Sequence, residues 1–245
     1  MAAPNEVLAV FLFALSTAIA TGLGALPFLF FSSLSERVVG YANALAAGLM
    51  IGASFGLISE GTNYGSAQTV TGGVLGVLFI LATQRWLSGR EVEFGGMRGA
   101  GARQMLLMLI VMTVHSFSEG VAVGVSFGGG TALATVITVA IAVHNIPEGV
   151  AISAVMRPQG VSVLRCALWS IFSSLPQPIM AVPAFLFVEA VRPALPYGLG
   201  FAAGAMVFMV LVELLPEAYD QGPRPSVGVL ASVSIVGMVL FQHYL

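Results

Sequence analysis

The chain has 245 residues, of which 58% are hydrophobic and only 8% charged, with a net charge of −2 and a mean hydropathy of +0.97. A soluble domain carries about a quarter charged residues, so this composition excludes an ordinary water-soluble protein and indicates a membrane protein. No cluster of basic residues points to nucleic acid as a partner. The single cysteine, Cys166, excludes a disulfide within the chain and a cysteine metal cluster.

Long apolar segments, without the alternation of barrel strands, predict an all-α polytopic protein embedded in the lipid bilayer. We expect one integral-membrane domain over residues 1–245, with a single sizeable loop at residues 88–103. Eight transmembrane helices are predicted, at about residues 7–31, 40–59, 68–87, 104–127, 131–156, 161–188, 195–215 and 226–245.

The basic residues predict how these helices are oriented. All nine are arginines, and with eight spans only Arg192 falls on the same side of the membrane as the two termini. Because arginine and lysine concentrate on the cytoplasmic side, both termini are expected outside the cytoplasm and the loop at 88–103 inside it. The plasma (inner) membrane and an organelle membrane both remain open.

A repeated string in the apolar sequence suggests a function. His115 and Glu119 are four residues apart, and His144 and Glu148 repeat that spacing 29 positions later. Residues four apart lie on one face of a helix. Imidazole and carboxylate groups are ligands for divalent transition metals, and ionisable groups within a membrane are usually functional.

The turn at residues 128–130 is expected to join spans four and five as an antiparallel hairpin. At about 1.5 Å per residue, both motifs then lie near the middle of the bilayer. Neither span contains Lys or Arg to neutralise Glu119 or Glu148, so a bound dication is the favoured explanation. Polar residues that only hold helices together, or a proton relay without metal, remain alternatives.

Further polar residues lie in spans six and seven. Gln177 stands between two prolines that should break span six, where its amide oxygen could reach the metal or only satisfy freed carbonyls. Glu213, Glu217 and Asp220 lie near the predicted cytoplasmic end of span seven. These carboxylates are candidates for the exit path of a cation, or form a solvated helix end.

Taken together, these residues resemble the ZIP (Zrt-, Irt-like protein) family of zinc and iron transporters. The resemblance covers nearly the whole chain and is carried by four segments, at residues 47–55, 115–122, 144–149 and 200–217. It implies a homodimer-capable carrier that moves Zn2+, with Fe2+, Mn2+ or Cd2+ as further candidates, toward the cytosol without a prosthetic group. It also implies two adjacent metal sites: a first of His115, Glu119 and Glu148, and a second drawing on Ser116, His144, Asn145, Glu148 and Gln177.

Three positions depart from the family pattern. Many relatives have Asn at the position of Ser116, Pro at that of Ser118 and Glu at that of Gln177. Since Ser and Gln are neutral and weak ligands, we expect a strong first site and a weak second one. Without a proline at Ser118, span four should be straighter, and the histidine-free loop at 88–103 should not sense metal.

Two other classes of function are alternatives to a carrier. An intramembrane metalloenzyme is disfavoured because the His-Glu-x-x-His motif is absent and His-x-x-x-Glu reverses the Glu-x-x-His order of di-iron bundles. We therefore expect a transporter and not an enzyme. A passive channel for divalent cations stays open, because sequence does not separate it from a carrier; saturation of the flux would.

Overall fold

The computed structural model describes residues 4–88, 112–113, 116–117 and 119–244, and these residues form helices and turns without a strand. We number the helices in chain order. They are α1 (Pro4–Leu23), α2 (Glu36–Ser88), α3 (119–128), α4 (Thr131–Met156), α5 (Val163–Ser174), α6 (Pro176–Ala190), α7 (Leu195–Met209), α8 (Leu215–Gln221) and α9 (Arg224–Tyr244). Short 3-10 turns span Leu26–Leu29, Arg157–Gln159 and Arg192–Ala194, and a π-helical segment spans Val210–Leu214.

Within the described residues, six helical segments are long and apolar enough to cross a membrane. They are Pro4–Leu29, Glu36–Ala82, Thr131–Gln159, Val163–Ala190, Leu195–Gln221 and Arg224–Tyr244. The all-helical membrane fold predicted from sequence is therefore confirmed. Predicted spans two and three both fall in α2, which leaves helical geometry at Gly65. Eleven of the 24 residues of predicted span four, and the predicted loop at 88–103 except Ser88, lie outside the described residues.

Three helix ends differ from the sequence prediction, each at a proline. The first helix ends at Leu23 and gives way to the 3-10 turn around Pro27. The break in span six lies at Leu175, so Pro176 begins α6 and Gln177 lies in its first turn. Pro216 does not end span seven: it follows the π-helical segment Val210–Leu214, and α8 continues the helix through it to Gln221.

The helices form two groups. In one, α1 packs against α4, α5 and α6; in the other, α2 packs against α7, α8 and α9, and the contact of α2 with α4 joins them. Met50 and Met206 are fully buried in the largest apolar cluster and Met209 in a smaller one, so these methionines are packing residues.

Glycines allow the helices of each group to approach closely. A Cβ atom built at Gly149 of α4 would lie 1.8 Å from the carbonyl oxygen of Thr21 on α1, and one at Gly120 of α3 would lie 2.5 Å from that of Gln177. Both distances are far shorter than a van der Waals contact, so only glycine fits these crossings. They hold α1, α3, α4 and α6 together around the polar residues described next.

Candidate metal centre

Three potential metal ligands meet where α3 and α4 are in contact. Glu119 comes from α3, and His144 and Glu148 lie one turn apart on α4. One ligand atom from each of the three lies within 4.8 Å of the other two, and all three residues are buried. Among the described residues, this is the only such group of three.

The turn between α3 and α4 makes this meeting possible. Gly130 has a φ of +113°, a backbone conformation that residues with a side chain rarely adopt. At this turn α3 passes into α4, and Glu119 of α3 comes to lie 2.6 Å from His144 of α4. The i,i+4 spacing of His144 and Glu148 then turns both side chains to the same face.

The contacts within the group are short. His144 Nε2 lies 2.6 Å from Glu119 Oε1, and both side chains are fully buried. Helix α4 and the described part of α3 contain no Lys or Arg. Burying two carboxylates is costly unless a positive charge offsets them, which favours a cation at this place.

Two buried amides continue the polar network away from the carboxylates. Gln177 Nε2 donates to Glu119 Oε2 at 2.6 Å, and Asn145 Nδ2 lies 3.3 Å from Gln177 Oε1. Asn145 Nδ2 also donates to the backbone carbonyl of Thr17 at 2.9 Å, while the Thr17 hydroxyl donates to Gln177 Oε1. Residues from α1, α3, α4 and α6 are thus linked in one hydrogen-bonded network.

The other residues singled out from the sequence differ in where the structure places them. Ser116 is buried shortly before α3, whereas His115 and Ser118 lie outside the described residues. Asn145 and Gln177 adjoin the three potential ligands, as the preceding contacts show.

The exit-path candidates stand apart from this centre. Glu213 lies in the π-helical segment, and Glu217 and Asp220 lie on α8. Glu217 accepts a hydrogen bond of 3.0 Å from the side-chain amide of Gln221. The side-chain oxygen of Gln221, Oε1, accepts a hydrogen bond of 3.2 Å from Asn43 Nδ2. None of the three carboxylates belongs to the group around Glu119.

Sequence reasoning missed Thr17 and Thr21, which line the network from α1. Both are fully buried, and the Thr21 hydroxyl lies 2.9 Å from that of Ser174. Their spacing of four residues in an otherwise apolar segment places both hydroxyls on one face. That pattern was the available signal that α1 borders a polar site.

Comparison with known proteins agrees with this geometry. The family model described as "ZIP Zinc transporter" matches residues 93–241. The zinc transporter GufA of Myxococcus xanthus is 35% identical over 218 residues, which cover 83% of this chain and 85% of GufA. The zinc transporter ZIPB of Bordetella bronchiseptica is 32% identical over 239 residues, covering 89% of this chain and 75% of ZIPB.

A protein of Arabidopsis thaliana, whose name records zinc transport as a provisional assignment, is 47% identical over 241 residues. The match covers 95% of this chain but only 39% of the plant protein, so the chain spans less than half of that relative. These names are those of transporters and not of enzymes. The chain belongs to the ZIP zinc transporter family.

Proposed function

We propose that this protein transports a divalent transition-metal cation, with Zn2+ as the leading candidate, across a membrane toward the cytosol. The observation that carries the proposal is the buried group of Glu119, His144 and Glu148 in a chain of the ZIP family. Imidazole nitrogen and carboxylate oxygen brought together in a buried site are ligands that suit a divalent transition-metal cargo.

The chemistry of the ligands supports this cargo. Zn2+ accepts imidazole nitrogen and carboxylate oxygen and takes four ligands, and three come from the group described above. His115 is our candidate for a further ligand, four residues before Glu119. The same donor set accepts Fe2+, Mn2+ and Cd2+, because ligand type alone does not separate these ions.

Eight membrane crossings form part of the proposal. The break at Gly65 divides α2 into residues 36–64 and 66–88, and each part is long enough to span a bilayer. The two parts face different helices: a Cβ at Gly48 would lie 2.3 Å from Ala231 O of α9, and one at Gly72 would lie 2.1 Å from Tyr197 O of α7. The helix that contains Glu119 would supply the remaining crossing.

The proposal extends to orientation, exit path and assembly. Both termini would lie outside the cytoplasm, as the arginine distribution predicts. A cation released from the centre would pass Glu213, Glu217 and Asp220 on its way to the cytosol. The family resemblance supports a homodimer, and alternating access around a fixed site would complete a transport cycle.

Zinc flux into proteoliposomes tests the proposal. Purified protein is reconstituted with a zinc-sensitive dye inside, and the wild type is compared with a Glu119→Gln/Glu148→Gln double variant. We expect saturable zinc entry in the wild type and entry at the level of empty liposomes in a folded double variant. The control is Glu36→Gln, which removes an exposed carboxylate at the start of α2 and should transport like the wild type.

Three results would each contradict a part of the proposal. Absence of zinc, iron, manganese and cadmium flux in the wild type would argue against transport. Equal flux in the wild type and the double variant would retain the transporter but place its site elsewhere. Flux that never saturates would favour a channel over a carrier.

A further inference from the structure

The orientation of the Gln177 side chain determines what this residue offers to a metal ion. One end of a side-chain amide is an oxygen, which can bind a cation. The other end is an NH2 group, which donates hydrogen bonds and cannot bind a cation. The two ends look alike in shape, so the hydrogen-bond partners decide which way the group points. Here the partners form a chain that begins at a backbone carbonyl.

The first link is the carbonyl oxygen of Thr17. A carbonyl only accepts hydrogen bonds, so the Asn145 atom at 2.9 Å from it must be the nitrogen, Nδ2. The same nitrogen lies 3.3 Å from the nearer end of the Gln177 amide, which must therefore be the oxygen, Oε1. The Thr17 hydroxyl contacts that oxygen as well, and it shares its single proton between Gln177 Oε1 and the Ala14 carbonyl oxygen at 2.7 Å.

The second link is the other end of the Gln177 amide. With Oε1 held by Asn145 and Thr17, Nε2 faces Glu119 Oε2 at 2.6 Å. The remaining oxygen of that carboxylate, Oε1, faces His144 Nε2 at 2.6 Å, on the side of the ligand group. Glu119 therefore has one oxygen directed toward the metal ligands and the other occupied by an N–H donor.

We infer that Gln177 takes the place of a second metal ion on Glu119, so that each chain binds one metal ion at a time. A carboxylate that bridges two cations gives one oxygen to each, and here the second oxygen is held by the Gln177 amide. The residue acts as a positioning group through Glu119 and does not itself bind the metal. This inference rests on the proposed function, and it replaces the expectation that the Gln177 oxygen serves a weak second site.

Metal stoichiometry tests the inference. Purified full-length protein is titrated with Zn2+, the excess is removed, and the bound zinc per chain is measured by mass spectrometry of the digested sample. We expect one zinc per chain in the wild type and two in Gln177→Glu, since the new carboxylate removes the donor and adds a ligand. Gln159→Glu makes the same change at an exposed position after α4 and should remain at one.

Zinc X-ray absorption of the wild type provides a second readout that does not depend on the variant folding. Two metal ions in one centre lie about 3.5–4 Å apart and scatter from one another. We expect no such zinc–zinc signal in the wild type and its appearance in Gln177→Glu.

The outcomes separate this inference from the proposed function. Two zinc ions in the wild type, or a zinc–zinc signal there, would overturn the role of Gln177 while leaving transport intact. One zinc in both the wild type and a folded Gln177→Glu would also overturn it, because Gln177 would not be what limits the number. Absence of bound zinc in the wild type would overturn the proposed function itself.

Discussion

Glu148 and His144 share one face of α4, and a carboxylate that is only 3% exposed needs compensation for its lost hydration. In our account a cargo ion supplies that compensation when it is bound, so the negative charge of Glu148 contributes directly to affinity. The amide of glutamine keeps the size of the side chain but removes the charge.

Glu148→Gln should therefore weaken zinc binding by at least about 100-fold. Changing a residue that only supports a metal ligand lowers metal affinity by up to about 100-fold, and loss of a ligand should cost at least as much. Isothermal titration of detergent-purified protein measures this directly. Glu36→Gln, with its exposed carboxylate, provides the control and should bind like the wild type. Unchanged affinity in Glu148→Gln would remove this residue from the site.

Thr17 acts on the site through the Gln177 oxygen. Thr17→Val keeps the shape of the side chain but removes the buried hydroxyl that Gln177 Oε1 and the Ala14 carbonyl oxygen share as a donor, which costs about 1–3 kcal/mol. We expect a lower melting temperature in detergent for Thr17→Val and a melting temperature near that of the wild type for Thr17→Ser, which retains the hydroxyl. Equal melting of all three proteins would show that the hydroxyl adds nothing to the network.

The ligand group illustrates what sequence can reveal about a site. The spacing of His144 and Glu148 fixes a shared helix face, and the glycine turn brings Glu119 beside them, so their meeting was predictable. The orientation of Gln177 was not, because it depends on Asn145 and on a backbone carbonyl of α1. A spacing rule within one helix carries no information about such a partner.

At the scale of helices, the approach of α1 to α4 has little tolerance. A methyl group at Gly149 would lie 1.8 Å from Thr21 O, whereas one at Gly237 of α9 would meet no atom within 4 Å. The two glycines thus form a matched pair: one at a tight crossing and one facing open space.

Gly149→Ala should separate α1 from α4, because backbone atoms at the crossing cannot move aside. The purified variant should then be neither monodisperse nor thermally stable. Gly237→Ala should be neutral or slightly stabilising, since alanine favours a helix by about 0.5–1 kcal/mol over glycine. Size-exclusion chromatography with a thermal melt compares the two variants. A Gly149→Ala protein that melts like the wild type would contradict the tight crossing.

Helix boundaries were predictable to different degrees. Span five was expected at residues 131–156, and α4 is Thr131–Met156, because a glycine turn and Arg157 delimit it. The end of span seven was not, because proline usually stops a helix. Here the π-helical segment at Val210–Leu214 precedes Pro216, and helix geometry resumes through Gln221. Sequence gives little indication of such a change of helical repeat.

At the scale of the molecule, the proposed orientation depends on the arginine distribution. The only cysteine, Cys166, is buried, so cysteines introduced elsewhere can be labelled over a low background. Ser33 lies in an exposed loop before α2, and Ser66 is exposed beside the break at Gly65. Eight crossings place these two positions on opposite sides of the membrane.

A membrane-impermeant maleimide applied to intact cells should label Ser66→Cys and not Ser33→Cys. Inside-out vesicles should give the reverse pattern. This holds for a protein placed in the plasma or inner membrane with its termini outside the cytoplasm. Labelling of both positions from the same side would contradict the division of α2 into two crossings, and exchange of the two patterns would invert the topology.

In the proposed mechanism, the cargo ion binds among Glu119, His144 and Glu148. Anomalous diffraction at the zinc edge, from crystals of the protein grown with zinc, locates the ion directly. The account predicts a single strong peak within about 2.0–2.2 Å of the Glu119 and Glu148 oxygens. A peak only at Glu213 and Glu217, with none beside Glu119, would contradict it.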